Sequence, residues 1–339
     1  MGNRDASAAP RTALPVKQLV FTLLVALSLS YGVARTNRHL ITGPHFEDRL
    51  EVHTSVLARD AFMPYQFHMY LMAHVCQWVH DHVGLTLVNS FYAMYLIGYA
   101  VLFVSLWALL LVLYRRTAAI LFGLFALMAY ALLLLPLSYH HPADPFGAAL
   151  VALTLLAAMR GSIAGMAFAS LAGGFFWSKQ ILLAPVVLIY EGLRSRWGRG
   201  LAIAALIGGL SFIGQLVYHL PPNPTVPEGA LPFLDWLRVL PRAALAHIAF
   251  AVPPLLSLWL LRDRLHPIVK AAAATYPMML AVYSVNGFFM YEMRSFWPVV
   301  PPFVCLIAAW AVVPDAAEDE SAPKAATRAP DEELAARHD

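Results

Sequence analysis

The stretch LVNSFYAMYLIGYAVLFVSLWALLLVLYRRTAAILFGLFALMAYALLLLPL, residues 87–137, is two apolar runs divided by Arg115-Arg116. Each run reaches the roughly 20 residues a helix needs to cross a bilayer. Read outward from here, the chain gives ten candidate spans: 16–34, 87–114, 117–137, 146–159, 162–177, 181–193, 200–219, 243–261, 270–286 and 297–313. The fourth to sixth are short. Only Arg160-Gly161 and Ser178-Lys179-Gln180 separate them, so they read as tilted hairpins or partial spans. The expected fold is all-α: a polytopic transmembrane bundle of about ten spans.

Composition agrees. The chain is 60% hydrophobic and 13% charged, against about 25% charged residues in soluble domains. The net charge of +3 says little about partners, and no basic stretch is built for nucleic acid. Cys76 and Cys305 lie far apart in apolar surroundings, without metal-type or redox-type spacing. The first apolar run, 16–33, exceeds the ~7–15 residues of a signal-peptide core and lacks a small-x-small cleavage site. It reads as a retained first span.

Lysine and arginine in the connections orient the bundle. With residues 1–15 inside, the inner side receives twelve before the tail: Arg4, Arg11, Lys17, Arg115, Arg116, Arg160, Arg194, Arg196, Arg199, Arg262, Arg264 and Lys270. Eight fall outside, four of them among acids in the first loop. Histidines and acids show the opposite bias. Ten of the thirteen histidines fall outside, as do nine of the twelve acids that precede the tail. Ionisable groups are costly beside a membrane, so such a face marks a working surface.

Three segments lie outside the spans. Residues 35–85 form an outer region, and 65–81, rich in histidine and aromatics, reads as an interfacial helix. Residues 221–242 form a proline-broken outer loop whose LDWL stretch suits the membrane surface. Residues 314–339, rich in Ala, Asp, Glu and Pro, read as a disordered cytoplasmic tail. The transmembrane domain is therefore 16–313.

Four outer segments can carry chemistry. GPHFEDRLEVH, residues 43–53, holds Glu47 and Asp48; with Asp60, they can bind a divalent cation, or one can be a general base. The alternative is a solvated loop balanced by Arg49. SYHHPADPF, residues 138–146, sets His140, His141 and Asp144 in a turn, which suits phosphate or plain interfacial packing but matches no zinc spacing. Lys179, between two apolar runs, can bind phosphate or snorkel. FMYEMRSFWP, residues 289–298, holds Glu292 and Arg294 two positions apart, so they do not share a helix face. One can point to a ligand, and Arg294 suits a lipid phosphate; an internal ion pair is the alternative. His68, His74, His80 and His82 offer no i,i+4 pair for a metal. There is no P-loop, GxSxG, HExxH or dinucleotide fingerprint.

Four features together resemble the GT-C superfamily of membrane glycosyltransferases, and more narrowly its mannosyltransferase-like bacterial members. They are Glu47-Asp48 after the first span, the turn YHHPADPF before an apolar helix, the break at Ser178-Lys179-Gln180, and YEMRSFWPVVPP at 291–302. Gln180 stands where such proteins commonly have an acid. The resemblance implies transfer of a sugar from a polyprenyl-phosphate carrier to an extracytoplasmic glycan, lipid or protein acceptor, with inversion. It implies Asp48 as base with Glu47 second, and Lys179 and Arg294 on the carrier phosphate. His140, His141 and Glu292 would assist in binding, and Mg or Mn is a compatible cofactor. The implied location is a bacterial plasma membrane, with both termini cytoplasmic and the active face outside. Two other readings stay open: a transporter or flippase of a lipid or small solute, and a non-catalytic scaffold. The central thirds of the spans carry almost no ionisable group, His247 and Gln215 being the nearest polar exceptions, which counts against ion-coupled transport.

Overall fold

The computed structural model describes residues 14–42, 46, 50, 53–54, 57, 70–134, 142–176, 178–216, 241–286 and 293–312. All regular structure among them is helical. The helices are α1 (Val16–Thr36), α2 (Arg38–Thr42), α3 (Tyr70–Val83), α4 (Leu87–Tyr114), α5 (Thr117–Leu134), α6 (Ala143–Met159) and α7 (Ile163–Phe176). They continue as α8 (Leu183–Leu193), α9 (Trp197–Leu216), α10 (Pro241–Leu261), α11 (Pro267–Ala273), α12 (Thr275–Asn286) and α13 (Val300–Ala308). Short 3-10 turns run over Ser178–Leu182, Met293–Val299 and Ala309–Val312.

Two of these helices, α1 with 21 residues and α4 with 28, are long and apolar enough to cross a membrane. The others are shorter or less uniformly apolar. At 1.5 Å per residue, the 14 residues of α7 cover about 21 Å, short of a hydrocarbon core of about 30 Å. The 11 residues of α8 cover less.

Two expected spans are broken. Residues 270–286 divide into α11 and α12 at Ala274. Pro277 lacks an N–H and its ring crowds the preceding turn, so it favours the first turn of a new helix. Residues 297–313 divide into a 3-10 turn containing Pro298, then α13 with proline in its first turn, then a second 3-10 turn.

Side-chain bonds tie the helices together. Trp107 of α4 donates to Thr22 of α1 at 3.0 Å, and Thr117 at the start of α5 donates to Gln18 at 2.8 Å. Gly98 of α4 packs against Pro145 and Phe146 of α6, so the start of α6 lies close against the first half of α4. Tyr130 of α5 donates to the Phe250 carbonyl of α10 at 3.0 Å. Phe250, Tyr276, Phe296 and Phe303 complete an aromatic cluster there, with centroids 5.2–6.2 Å apart. On α7 and α9 small residues meet. A Cβ on Gly174 would stand 2.9 Å from the Ser211 Cα, and the Ser211 hydroxyl donates to the Ser170 carbonyl at 3.4 Å.

The bundle has two distinct ends. At one, α4–α5, α6–α7 and α8–α9 are joined by two or three residues each, all rich in arginine. Gly161 (φ +67°) and Ser195 (φ 57°) close the latter two turns in left-handed conformation. Bonds from Ser162 N–H to the Ala157 carbonyl (2.9 Å) and from Arg196 N–H to the Glu191 carbonyl (2.8 Å) complete helix-ending loops of the Schellman type. The opposite end gathers α3, the start of α4, the start of α6, the α7–α8 break and the 293–299 turn.

Candidate functional site

The histidine-bearing end is organised by α3. Met72, Ala73 and Cys76 form a buried stripe at helical spacing. Met72 and Cys76 pack with Phe91 and Met94 of α4, Phe46 and Ala143. The opposite face exposes His74, Trp78, Asp81 and His82. Gly84 (φ +75°) ends this helix, and Thr86 caps α4 by accepting from the Asn89 N–H at 3.3 Å.

A polar chain runs along the edge of α3. His53, 4% exposed, meets Gln77 Oε1 through Nε2 at 3.2 Å, and Gln77 Nε2 donates to Asp81 Oδ1 at 2.8 Å. With the Gln77 oxygen facing the ring, His53 Nε2 is the donor. The His53 ring also lies edge-on to Phe91, 5.2 Å between centroids. Burial holds the His53 pKa below its ordinary 6.5; His74 and His80 push the same way, and the Gln77 bond opposes them. Burial alone pushes the Cys76 thiol up to about 12, so it stays protonated and acts as apolar filling. Trp78 and His82 stack with centroids 5.0 Å apart and, with His74, Val75, Gln77 and Asp81, line a shallow depression of about 420 Å³. Among the described residues no three His, Cys, Asp or Glu side chains are placed to hold a metal.

The sequence candidates divide as follows. Glu47, Asp48, Asp60, His140, His141 and Glu292 lie outside the described residues, as does His68. Lys179 and Arg294 have described backbones, in the 178–182 and 293–299 turns, but not described side chains. Their neighbours are informative. Phe46 precedes Glu47-Asp48 and packs edge-on to Phe91 with centroids 5.7 Å apart; it shares its cluster with Ala143, two residues past His141. Phe146 stacks at 5.3 Å on Phe176, three residues before Lys179. Trp297, three residues past Arg294, meets Tyr99 at 6.2 Å. Residues next to all four sequence motifs thus meet at one end of the bundle, around the first half of α4.

Two residues gain weight that their sequence context does not give them. Asp144 is 7% exposed, in the first turn of α6 and within electrostatic range of Tyr99. The partial positive charge of a helix start suits a carboxylate, and its place after Pro142 in a helix-opening ADPF was the available signal. Gln180 is fully buried and donates to Thr154 at 3.1 Å. Its stem fills the space over Gly173 that any Cβ would claim, and its Oε1 has no hydrogen-bond partner among the described residues. The helix break therefore turns its amide inward.

Comparison with protein-family models, curated proteins and solved structures finds no match to this chain.

Proposed function

We propose that this chain is a polytopic membrane glycosyltransferase of the GT-C type, moving a sugar from a polyprenyl-phosphate donor to an extracytoplasmic acceptor with inversion. The observation that carries this reading is the meeting, at one end, of residues that flank Glu47-Asp48, His140-His141, Lys179 and Arg294. Such a gathering suits the chemistry. Polyprenyl phosphate is a good leaving group, so the protein must deprotonate an acceptor hydroxyl, hold both partners and stabilise the departing phosphate. Asp48 is the base and Glu47 its neighbour; Lys179 and Arg294 hold the phosphate, with His140, His141 and Glu292 around them. A divalent cation on Glu47, Asp48 and Asp60 is compatible with those carboxylates.

Membrane embedding is supported by the bundle's exterior. Leu24 is 57% exposed, Phe168 70%, Leu245 64% and Trp259 67%, on three different helices. Apolar surface spread so widely is costly in water and natural against lipid. Within a bilayer, α1 and α4 cross fully. The remaining apolar runs complete a bundle of about ten spans in which the short α7 and α8 cross in part. The arginine turns face the cytoplasm and the histidine end faces outward.

The test is transfer from a panel of radiolabelled polyprenyl-phosphate sugars by purified protein in nanodiscs. Label in a new product with wild type, and none with Asp48→Asn, establishes both the class and the base. Folded wild type that turns over no donor in the panel, or Asp48→Asn that transfers normally, defeats the corresponding half of the proposal.

A further inference from the structure

The arginine end carries more positive charge than its own carboxylates neutralise. Of the twelve inner lysines and arginines, all but Arg4 and Arg11 are among the described residues, and two carboxylates stand with them. Both are already engaged: Glu191, 3% exposed, with Arg196 at 3.5 Å, and Asp263 with Arg262 at 3.7 Å. Arg194 lies over the Tyr190 ring, 5.3 Å from its centroid, and donates to its hydroxyl at 2.8 Å. Arg116 reaches the Val312 carbonyl at 3.3 Å.

Arg160 and Arg199 are different. Arg160 closes α6 and leads into the Gly161 turn. Arg199, in the first turn of α9, lays its guanidinium over that turn, with Nη2 3.6 Å from where a Cβ on Gly161 would stand. Both are exposed, and among the described residues no carboxylate pairs with either. Immediately beyond them the surface becomes apolar. Ile163 is 48% exposed on α7 and Leu206, seven residues past Arg199 and on the same face of α9, is 36% exposed, while Trp197, 61% exposed, stands at the same end of the helix. Exposed cations bordered by a tryptophan and aliphatic side chains match a headgroup boundary, with acyl chain beside it.

We propose that the α6–α7 turn, with Arg160 and Arg199, is a binding site for the phosphate of an anionic phospholipid, whose acyl chain lies along Ile163 and Leu206. The proposal rests on the membrane reading above and is independent of the glycosyltransferase reading. Two guanidinium groups match phosphate oxygens bidentately. A lipid with net negative charge gains this attraction undiminished, whereas the choline of a zwitterionic lipid offsets it. The acidic tail, residues 315–339, is the competing occupant. It carries eight acids against three lysines and arginines, but charge alone gives it no use for the apolar border.

The experiment follows thermal unfolding of the full chain in detergent micelles with added phosphatidylglycerol, phosphatidylcholine or inorganic phosphate, with lipid adducts counted by native mass spectrometry. Phosphatidylglycerol is expected to raise Tm by several degrees through preferential binding to the folded state. Phosphatidylcholine and inorganic phosphate are expected to do little. Arg160→Gln/Arg199→Gln loses most of the shift and the adduct, while Arg38→Gln at the opposite end, where Arg38 lies over Tyr92, retains both. Equal shifts with both lipids, a full shift with inorganic phosphate alone, or a full shift in the double variant overturn the site. A shift that emerges only after residues 315–339 are removed overturns it in favour of the tail. If the membrane reading itself fails, the protein stays soluble and monodisperse with no detergent, a result separate from all of these.

Discussion

The two ends of this bundle solve the same problem, reversing a chain between apolar helices, in different ways. At the arginine end, reversal takes two to five residues, and backbone hydrogen bonds close each turn. Little is left there for a ligand except charge. At the histidine end the connections 43–69, 135–141, 217–240 and 287–292 are longer. They hold seven of the twelve acids that precede the tail and six of the thirteen histidines. Buried residues within or beside them, Phe46, His53, Ala143 and Trp297, tie those connections to the bundle. One end is economical backbone with a charged rim, and the other is joined by longer connections with buried anchor residues. The proposed chemistry is assigned to the longer connections, since catalytic groups are commonly carried on connections held by a rigid scaffold.

That contrast breaks first at Asp48. If the loops are the working end, Asp48→Asn lowers sugar transfer by at least about 100-fold, the scale of a lost general base, with Tm unchanged. Arg264→Gln on the opposite rim leaves transfer intact in the same assay. Loss of activity from the arginine variant alone would put the chemistry at the wrong end.

The next largest effect concerns packing between the ends. A Cβ on Gly174 meets the Ser211 backbone on α9, which cannot swing aside as a side chain would. Gly174→Ala is therefore expected to destabilise the protein by about 1–3 kcal/mol, the range for overpacking, read as a lower Tm in micelles. Gly209→Ala, where a Cβ meets nothing within 4 Å, serves as control and gains slightly from helix propensity. Equal Tm values for the two variants would remove the close α7–α9 approach.

The arginine turns offer a matched pair. Gly161 and Ser195 occupy the same place in two similar turns, at φ +67° and 57°. A side chain in that region costs roughly 1–2 kcal/mol. Gly161→Ala should lower stability by about 1 kcal/mol, and Ser195→Gly should raise it by somewhat less, because added freedom in the unfolded chain offsets part of the relief. Shifts of the same sign would show that the two turns are not equivalent.

The helices were legible in the sequence where composition alone decides. The runs 16–34 and 87–114 correspond to α1 and α4, because an unbroken apolar run ended by arginines leaves the chain few options. The breaks at Ala274 and Val299 were not, since proline both interrupts a helix and opens one, and only the packing of α11 and α13 selects between these. The Gly174–Ser211 approach joins residues 37 apart and leaves no local pattern. At the candidate site, the motif residues were chosen by chemical type, whereas their anchors were invisible. Phe46 and His53 carry no distinguishing signal in the sequence until α3 and α4 bury them. Gln180 read as a departure from an acidic pattern; its buried bond to Thr154 depends on a glycine on a neighbouring helix, which no spacing rule reports.

The smallest expected effect, at His53, tests how firmly the loops are anchored. Burial keeps its folded pKa below 6.5, while the unfolded chain takes up a proton near that value. Between the two values the unfolded state binds more protons, so stability falls as pH drops through about 6.5 and levels off below the folded pKa. The loss is confined to mildly acidic pH and is absent above about 7.5, where both states are neutral. His53→Gln keeps a polar group near Gln77 but does not titrate. Its Tm should therefore decline less than that of wild type between about pH 7.5 and 5.5. Parallel slopes for His53→Gln and wild type would mean that His53 is as hydrated in the folded protein as in the unfolded chain. The segment bearing Glu47 and Asp48 would then be tethered by Phe46 alone, and the contrast between anchored loops and bare turns would rest on one aromatic contact.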